Sequence, residues 1–209
     1  MSALDHTDAL TAGDWDAYYT KWGGRLVTQA EKERFLKRAP SVRGRRVADI
    51  GCGTGSWTRQ LALWGARVTG YDYSAVALRQ ARRHPQPGMT YEQWDVTSGP
   101  APDSLAAGSV DLVTCRLSLA YLDIEPFLGR VADWLTPDGA LYILTPVQYG
   151  PLRPRPPATP PAADDDPYLR AITEDQLTRL LASSPQQWDS LRHVVVKQVS
   201  VLVLQGPTI

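Results

Sequence analysis

"VADIGCGTG", residues 47–55, joins a short apolar run to glycines at every second position. Val47, Ala48 and Ile50 suit a buried strand, and Gly51, Gly53 and Gly55 end it. Glycine at a strand end reaches positive φ without steric cost, and it leaves room where a Cβ would collide with a bound group. The following SWTRQLALWG carries Trp57, Leu61 and Trp64 at helical spacing, with Gly65 where a helix would stop. Strand, glycine turn and helix in that order make a place to lay a nucleotide-like ligand.

Alternation continues beyond this unit. RVTGYD predicts a second strand, followed by a helix from Ser74 to about His84 and a strand at TYEQWD. VDLVTC predicts a fourth strand, residues 124–135 a helix, TPDG a turn and ALYILTP a fifth strand. Strands alternating with helices imply right-handed βαβ units and a parallel sheet covered on both faces. Upstream, Trp15, Tyr18, Tyr19 and Trp22 fall at i, i+3, i+4 and i+7, one aromatic face of a helix. TQAE is a capping box of Thr28 with Glu31, and the helix it opens should stop before Pro40.

Residues 146–167 break the pattern with eight prolines, which predicts a stiff extended loop that is either a functional cover or a surface excursion. TEDQ is a further capping box, Thr173 with Gln176, opening a helix to about Ala182. The tail LRHVVVKQVSVLVLQG is β-prone and reads equally as one long strand or a tight hairpin.

At 209 residues the chain reads as a single domain over 1–209, with a helical segment at 1–40 and the proline-rich insertion at 146–167. Hydrophobic residues at 43% and charged residues at 21% fit a soluble globular protein. A formal net charge of zero gives no overall field toward nucleic acid, and Arg43, Arg45 and Arg46 read as a solvated loop. MSALDHTDALTAGDW lacks a basic start and an apolar core, and no stretch is apolar enough to span a bilayer. Cys52 and Cys115 are the two cysteines, giving neither a disulfide framework nor zinc-ligand spacing, so no metal and a cytoplasmic setting are expected. His6, His84 and His193 do not cluster.

The ligand is narrowed by acids. No Gly-Lys-Ser/Thr follows the glycines, which argues against a P-loop, and the third glycine comes one position early for a dinucleotide fingerprint. Asp72 ends the second strand, placed to accept from ribose hydroxyls, and Asp95 follows the third, placed to accept from an exocyclic amine. Asp49, inside the first strand, needs a cationic or hydrogen-bonding partner. Ribose, an exocyclic amine and a positive charge are combined in S-adenosylmethionine.

VADIGCGTG, GYDYS, YEQWDV, GSVDLVTCRLSLAYL and WLTPDGALYILTP, in this order and spacing, resemble the class I S-adenosylmethionine-dependent methyltransferases over roughly residues 15–145. The resemblance implies a doubly wound, mostly parallel seven-stranded α/β sheet of the Rossmann-like methyltransferase fold. It also implies an antiparallel C-terminal pair drawn from Leu191–Leu204 and an N-terminal helical lid carrying Tyr19. It would put the methionine end of the cofactor on Gly51, Cys52 and Gly53, the ribose on Asp72, the adenine along Tyr73, and the adenine amine on Asp95 with the Val96 amide beside it. Arg116 would lend its backbone near the cofactor's amino group, and LSLAY would line the reaction chamber. Arg116, Tyr121 and Tyr149 are the candidates there for a catalytic part. Asp72 and Asp95 have plainer readings as helix and turn caps, and the aromatic face as a core stripe.

The implied reaction is in-line methyl transfer leaving S-adenosylhomocysteine. CRLS stands where the amino-methylating enzymes of nucleic acids carry Asn-Pro-Pro-Tyr, which favours a small-molecule acceptor. Two alternatives stay open: a fold repurposed for non-methylating chemistry around the bound cofactor, and a non-catalytic partner subunit. The oligomeric state is not legible.

Overall fold

The fold was taken from a computed structural model, which describes residues 10–149, 170–196 and 198–208. Two helices precede the sheet, α1 (Ala12–Trp22) and α2 (Gln29–Arg38). Each begins on a threonine capping box, Thr11 with Asp14 and Thr28 with Glu31, and α2 stops before Pro40 as its sequence requires. Then β1 (Arg46–Ile50), α3 (Ser56–Leu63), β2 (Arg67–Asp72), α4 (Ala75–Ala81), β3 (Met89–Gln93) and β4 (Val110–Arg116) alternate as expected. They are followed by α5 (Ile124–Trp134), β5 (Leu135–Gln148), a short β6 (Ile172–Thr173), α6 (Glu174–Ser183), β7 (Trp188–Val196) and β8 (Val199–Pro207).

All eight strands form one sheet, in the order β3-β2-β1-β4-β5-β8-β7, with β6 pairing to β5 off that path. β1 to β5 are mutually parallel, and β8 runs antiparallel to both β5 and β7. The tail is thus a hairpin, with Val196 opposite Val199 at its turn. No Asn-Gly or Asp-Gly marks that turn, which is why the sequence left it open. The expected turn TPDG is accommodated inside β5: Val110 pairs with Leu135 and Leu112 with Ala140, so Thr136–Gly139 bulge out of the ladder.

Strand β5 shows how the sheet is buried. Leu141 and Ile143 pack into the cluster that holds Phe127, Leu128 and Val131 of α5, whereas Ala140, Tyr142 and Leu144 pack into the cluster of Phe35, Trp57 and Leu61. Side chains alternate across a strand, so both faces are covered and the run from Ala140 to Leu144 is continuously apolar. α1 is the exception among the helices of substantial length, because none of its residues is buried.

The eight-proline stretch falls mostly outside the described residues, as do Arg153, Arg155 and His6. Its first residues, Pro146–Gln148, continue β5 rather than leaving it. Among the described residues no helix is long and apolar enough to cross a membrane.

Candidate functional site

A cavity of about 960 Å³ opens beyond the carboxyl ends of the parallel strands, where doubly wound sheets place ligands. Its wall crosses the sheet: Asp95 and Val96 after β3, Asp72 and Tyr73 at β2, Gly51–Thr54 after β1, and Arg116–Ser118 at β4. Pro146 of β5, then Arg170 and Gln176, continue it, and α1 covers it with Trp15, Tyr18 and Tyr19.

Gly51 and Gly53 adopt φ of +67° and +52°. A Cβ on Gly51 would meet the Ser118 side chain, and one on Gly53 would lie 2.7 Å from the Tyr19 hydroxyl, so the turn is packed between β4 and α1. The third glycine of the motif serves the fold rather than the cavity, since a Cβ on Gly55 would strike the Tyr91 hydroxyl. Leu117 also takes a left-handed φ of +62° on the cavity wall, backbone strain of about 1–3 kcal/mol that sequence pattern does not announce.

Asp72 is buried and held at both oxygens: the Gly53 amide donates to Oδ2 at 2.8 Å and the Ser74 amide to Oδ1 at 2.9 Å. Burial outweighs those bonds and raises its carboxyl to about 6. The residue nevertheless lines the cavity. The Ser74 hydroxyl donates in turn to Oδ1 of Asp16 on α1, and the same oxygen accepts from the Val76 amide at 3.0 Å. Helix α1, Asp72 and the glycine turn are therefore one hydrogen-bonded chain. The Gln80 amide donating to the Tyr19 carbonyl at 2.9 Å and the Tyr73 hydroxyl donating to the Leu10 carbonyl at 3.0 Å tie the same segment down.

Asp95 lines the cavity and also caps its own turn, accepting from the Thr97 amide at 2.9 Å and from the Thr97 and Ser98 hydroxyls. Its plainer reading as a turn cap is therefore seen directly, at a position on the cavity wall. Asp49 does not line the cavity: it sits beneath the glycine turn, 1% exposed, accepting from the hydroxyls of Thr58 at 2.7 Å and Thr114 at 2.9 Å. Its partners are hydroxyls rather than a cation, and burial lifts it to about 6. Cys52 lines the cavity, whereas Cys115 is buried away from it, and burial raises both thiols, Cys115 to about 12. Among the described residues no cluster of acids, histidines and cysteines has metal-binding geometry.

Arg116 corrects an expectation. Its side chain is committed to the fold, with Nε donating to Glu31 Oε1 at 2.9 Å and Nη2 to the Leu26 carbonyl at 3.0 Å. Glu31 is also the capping-box acid of α2, and although burial opposes its ionisation, the bonds from Arg116 and Thr28 hold its carboxyl below the usual range. The guanidinium thus anchors α2, while the residue remains on the cavity wall. Tyr121 does line the cavity, accepting from the Arg170 amide at 3.0 Å and meeting Trp15 edge-on with ring centroids 5.0 Å apart. Tyr149 ends the described β5 segment, 43% exposed and outside the wall.

The aromatic face of α1 turns to the cavity rather than the core. Trp15 stacks on Tyr19 with centroids 5.7 Å apart, while Trp22 points to solvent, 65% exposed. Sequence reasoning missed Asp16, Arg25, Arg170 and the cavity role of Gln176. Arg25 follows Gly24, which packs directly on Thr54 of the glycine turn.

Comparison with known proteins agrees with this geometry. The family described as "Methyltransferase domain" matches residues 47–139. The ubiquinone biosynthesis O-methyltransferase of Bordetella avium is 29% identical over 146 residues, 69% of this chain and 61% of that protein. The trans-aconitate 2-methyltransferase of Delftia acidovorans is 34% identical over 138 residues, 64% of this chain and 49% of that protein. The chain thus spans between half and three fifths of these relatives' length. Among solved structures, the DhpI–S-adenosylhomocysteine complex superposes over the whole of both chains with a TM-score of 0.69 at 20% identity, a likeness of fold. Residues 47–139 thus match a methyltransferase domain, and the chain is similar to S-adenosylmethionine-dependent methyltransferases.

Proposed function

We propose that the protein transfers a methyl group from S-adenosylmethionine to a small-molecule acceptor. The observation that carries this reading is the buried Asp72 carboxylate on the cavity wall, set between the glycine turn and Asp95. A carboxylate on the cavity wall suits the two ribose hydroxyls, to which it can act as acceptor. Tyr73 and Val96 would flank the adenine and Asp95 would accept from its amine, while the Gly51–Gly53 backbone would receive the amino-acid end. Arg25 supplies a cation beside that turn for the carboxylate of this end.

The bound sulfonium supplies an activated methyl whose transfer neutralises its charge. The chain's own contribution is then positioning, for which well-oriented reactants gain about 7–11 kcal/mol. Trp15, Tyr18 and Tyr19 offer ring faces to a cation, and α1 over the cavity acts as a lid that keeps water from it. Asp49 supports from below, fixing the end of β1 through two hydroxyls. A lid and a sheet within one domain, small-molecule chemistry, and a cytoplasmic setting that suits the two buried free thiols belong to the same reading.

The test is label transfer. With methyl-labelled S-adenosylmethionine and the low-molecular-mass fraction of a cell extract, label should move into small organic products. Label appearing only in nucleic acid or protein, with both offered at equal mass, would overturn the small-molecule assignment.

A further inference from the structure

We propose that Asp123 is a second acceptor for the exocyclic amine of the cofactor's adenine, working beside Asp95. The inference rests on the cofactor reading above and adds a specificity-determining residue to the same cavity. An exocyclic amine carries two N–H donors that point away from each other, so full recognition needs an acceptor for each. A base without those donors is then rejected, because it leaves the acceptors unpaired.

The placement of Asp123 comes from two loops that meet. Val96 and Thr97 of the loop after β3, and Leu122 and Asp123 of the β4–α5 connection, all line the cavity. The same four residues also line a small depression beside it, so the two loops form a shared sill. Arg130 of α5 donates from Nη1 to the Val96 carbonyl at 2.7 Å. The helix that begins after Asp123 is thereby tied to the loop that carries Asp95, and a hydrogen bond within the fold sets their spacing. Val96 is the residue read above as flanking the adenine, and Asp123 stands on the other side of its sill.

Asp123 is also the acid with capacity to spare. It occupies the N-cap position of α5, where aspartate is among the residues that best accept from first-turn amides. Thr11, Thr28, Ser74 and Thr173 do accept in this way at their own helices. The Asp123 side chain does not, and among the described residues its carboxylate has no hydrogen bond or ion pair. The two other acids of the described wall are engaged. Asp72 accepts from the Gly53 and Ser74 amides. Asp95 accepts from the Thr97 amide and hydroxyl on Oδ1 and from the Ser98 hydroxyl on Oδ2. A carboxylate offers about four acceptor sites, so Asp95 has room for one N–H of the amine and Asp123 for the other.

The experiment is calorimetric titration of the full chain with S-adenosylhomocysteine and with S-inosylhomocysteine, in which a ring carbonyl replaces the amine. The unmodified protein should bind the adenine compound at least about tenfold more tightly. Asp123→Asn should cut that preference at least about fivefold, chiefly through weaker binding of the adenine compound, and Asp123→Glu should retain part of it. The thermal midpoint of the free protein should not move in Asp123→Asn, because the exposed side chain makes no bond there. No preference in the unmodified protein, or an undiminished preference in Asp123→Asn, would overturn the proposal. Equal weakening of both compounds would also overturn it, since that marks a general charge effect and no contact with the amine. An undiminished preference joined to lost methyl transfer would assign Asp123 to the acceptor instead. Failure of S-adenosylhomocysteine to bind the unmodified protein would bring down the cofactor reading beneath it.

Discussion

At the β2–β3 end of the cavity, the proposed cofactor end, Asp72 and Asp95 are fixed by backbone amides of their own loops and of the glycine turn. At the opposite end, Tyr121, Arg170 and Trp15 contact one another, and α1, which brings Trp15 there, buries none of its residues in the core. The first end is built on strand ends of the sheet and held by backbone hydrogen bonds. The second is assembled from separate parts of the chain and depends on α1 staying in place. Because α1 is hydrogen-bonded to the Asp72 loop, ligand affinity at the first should respond modestly to changes in α1, and the geometry at the second should respond more strongly.

The largest expected effect sharpens where that boundary runs. Arg116 stands between the two ends, and its ion pair with Glu31 has side chains only 10% and 9% exposed. Removing one partner leaves a buried charge, so Arg116→Gln should cost about 3–5 kcal/mol of stability, read as a lower denaturation midpoint. Lost turnover at unchanged stability would restore Arg116 to a catalytic role and break the division.

Asp72→Ala comes next, with S-adenosylhomocysteine affinity reduced by about 1–3 kcal/mol in calorimetry as the ribose bonds are lost. Its pH dependence carries the same signature. With the carboxyl raised from 3.8 to about 6, affinity should hold above pH 7 and fall by up to about tenfold per unit as pH drops through 6. Stability of the free protein runs the opposite way. The native state holds extra protons on Asp72 and Asp49 between about pH 4 and 6, so both lower stability as pH rises through that window. A flat binding profile, or one unaltered in Asp72→Asn, would take Asp72 out of the site.

The smallest effect concerns the lid. Asp16→Ala removes the bonds to Ser74 and Val76, each worth about 1 kcal/mol, and should speed hydrogen exchange across Ala12–Trp22 while leaving the sheet unchanged. Bound S-adenosylhomocysteine should slow exchange there in the unmodified protein. Equal exchange with and without ligand would make α1 a fixed wall rather than a lid.

The same division decided what could be read from the sequence. The glycine turn, Asp72 and Asp95 follow directly from strand ends, so local pattern found them, as it found the capping boxes at Thr28 and Thr173. The contacts that assemble the rest of the wall were opaque because they are long-range. Asp16 meets Ser74 at a separation of 58 residues, Arg170 meets Tyr121 at 49 and Arg116 meets Glu31 at 85. No periodicity encodes such pairs, and the Arg116 side chain could not be told from a chamber residue until its partner was seen. Gly55 shows the converse: its place in the motif suggested ligand contact, while its space belongs to Tyr91.

The central claim is that the glycine turn and Asp72 receive the adenosyl cofactor. Parallel calorimetric titrations of the unmodified protein with S-adenosylhomocysteine and with NAD test it most directly. One-to-one binding of S-adenosylhomocysteine, clearly tighter than NAD, is the expected result; tighter binding of NAD would contradict it.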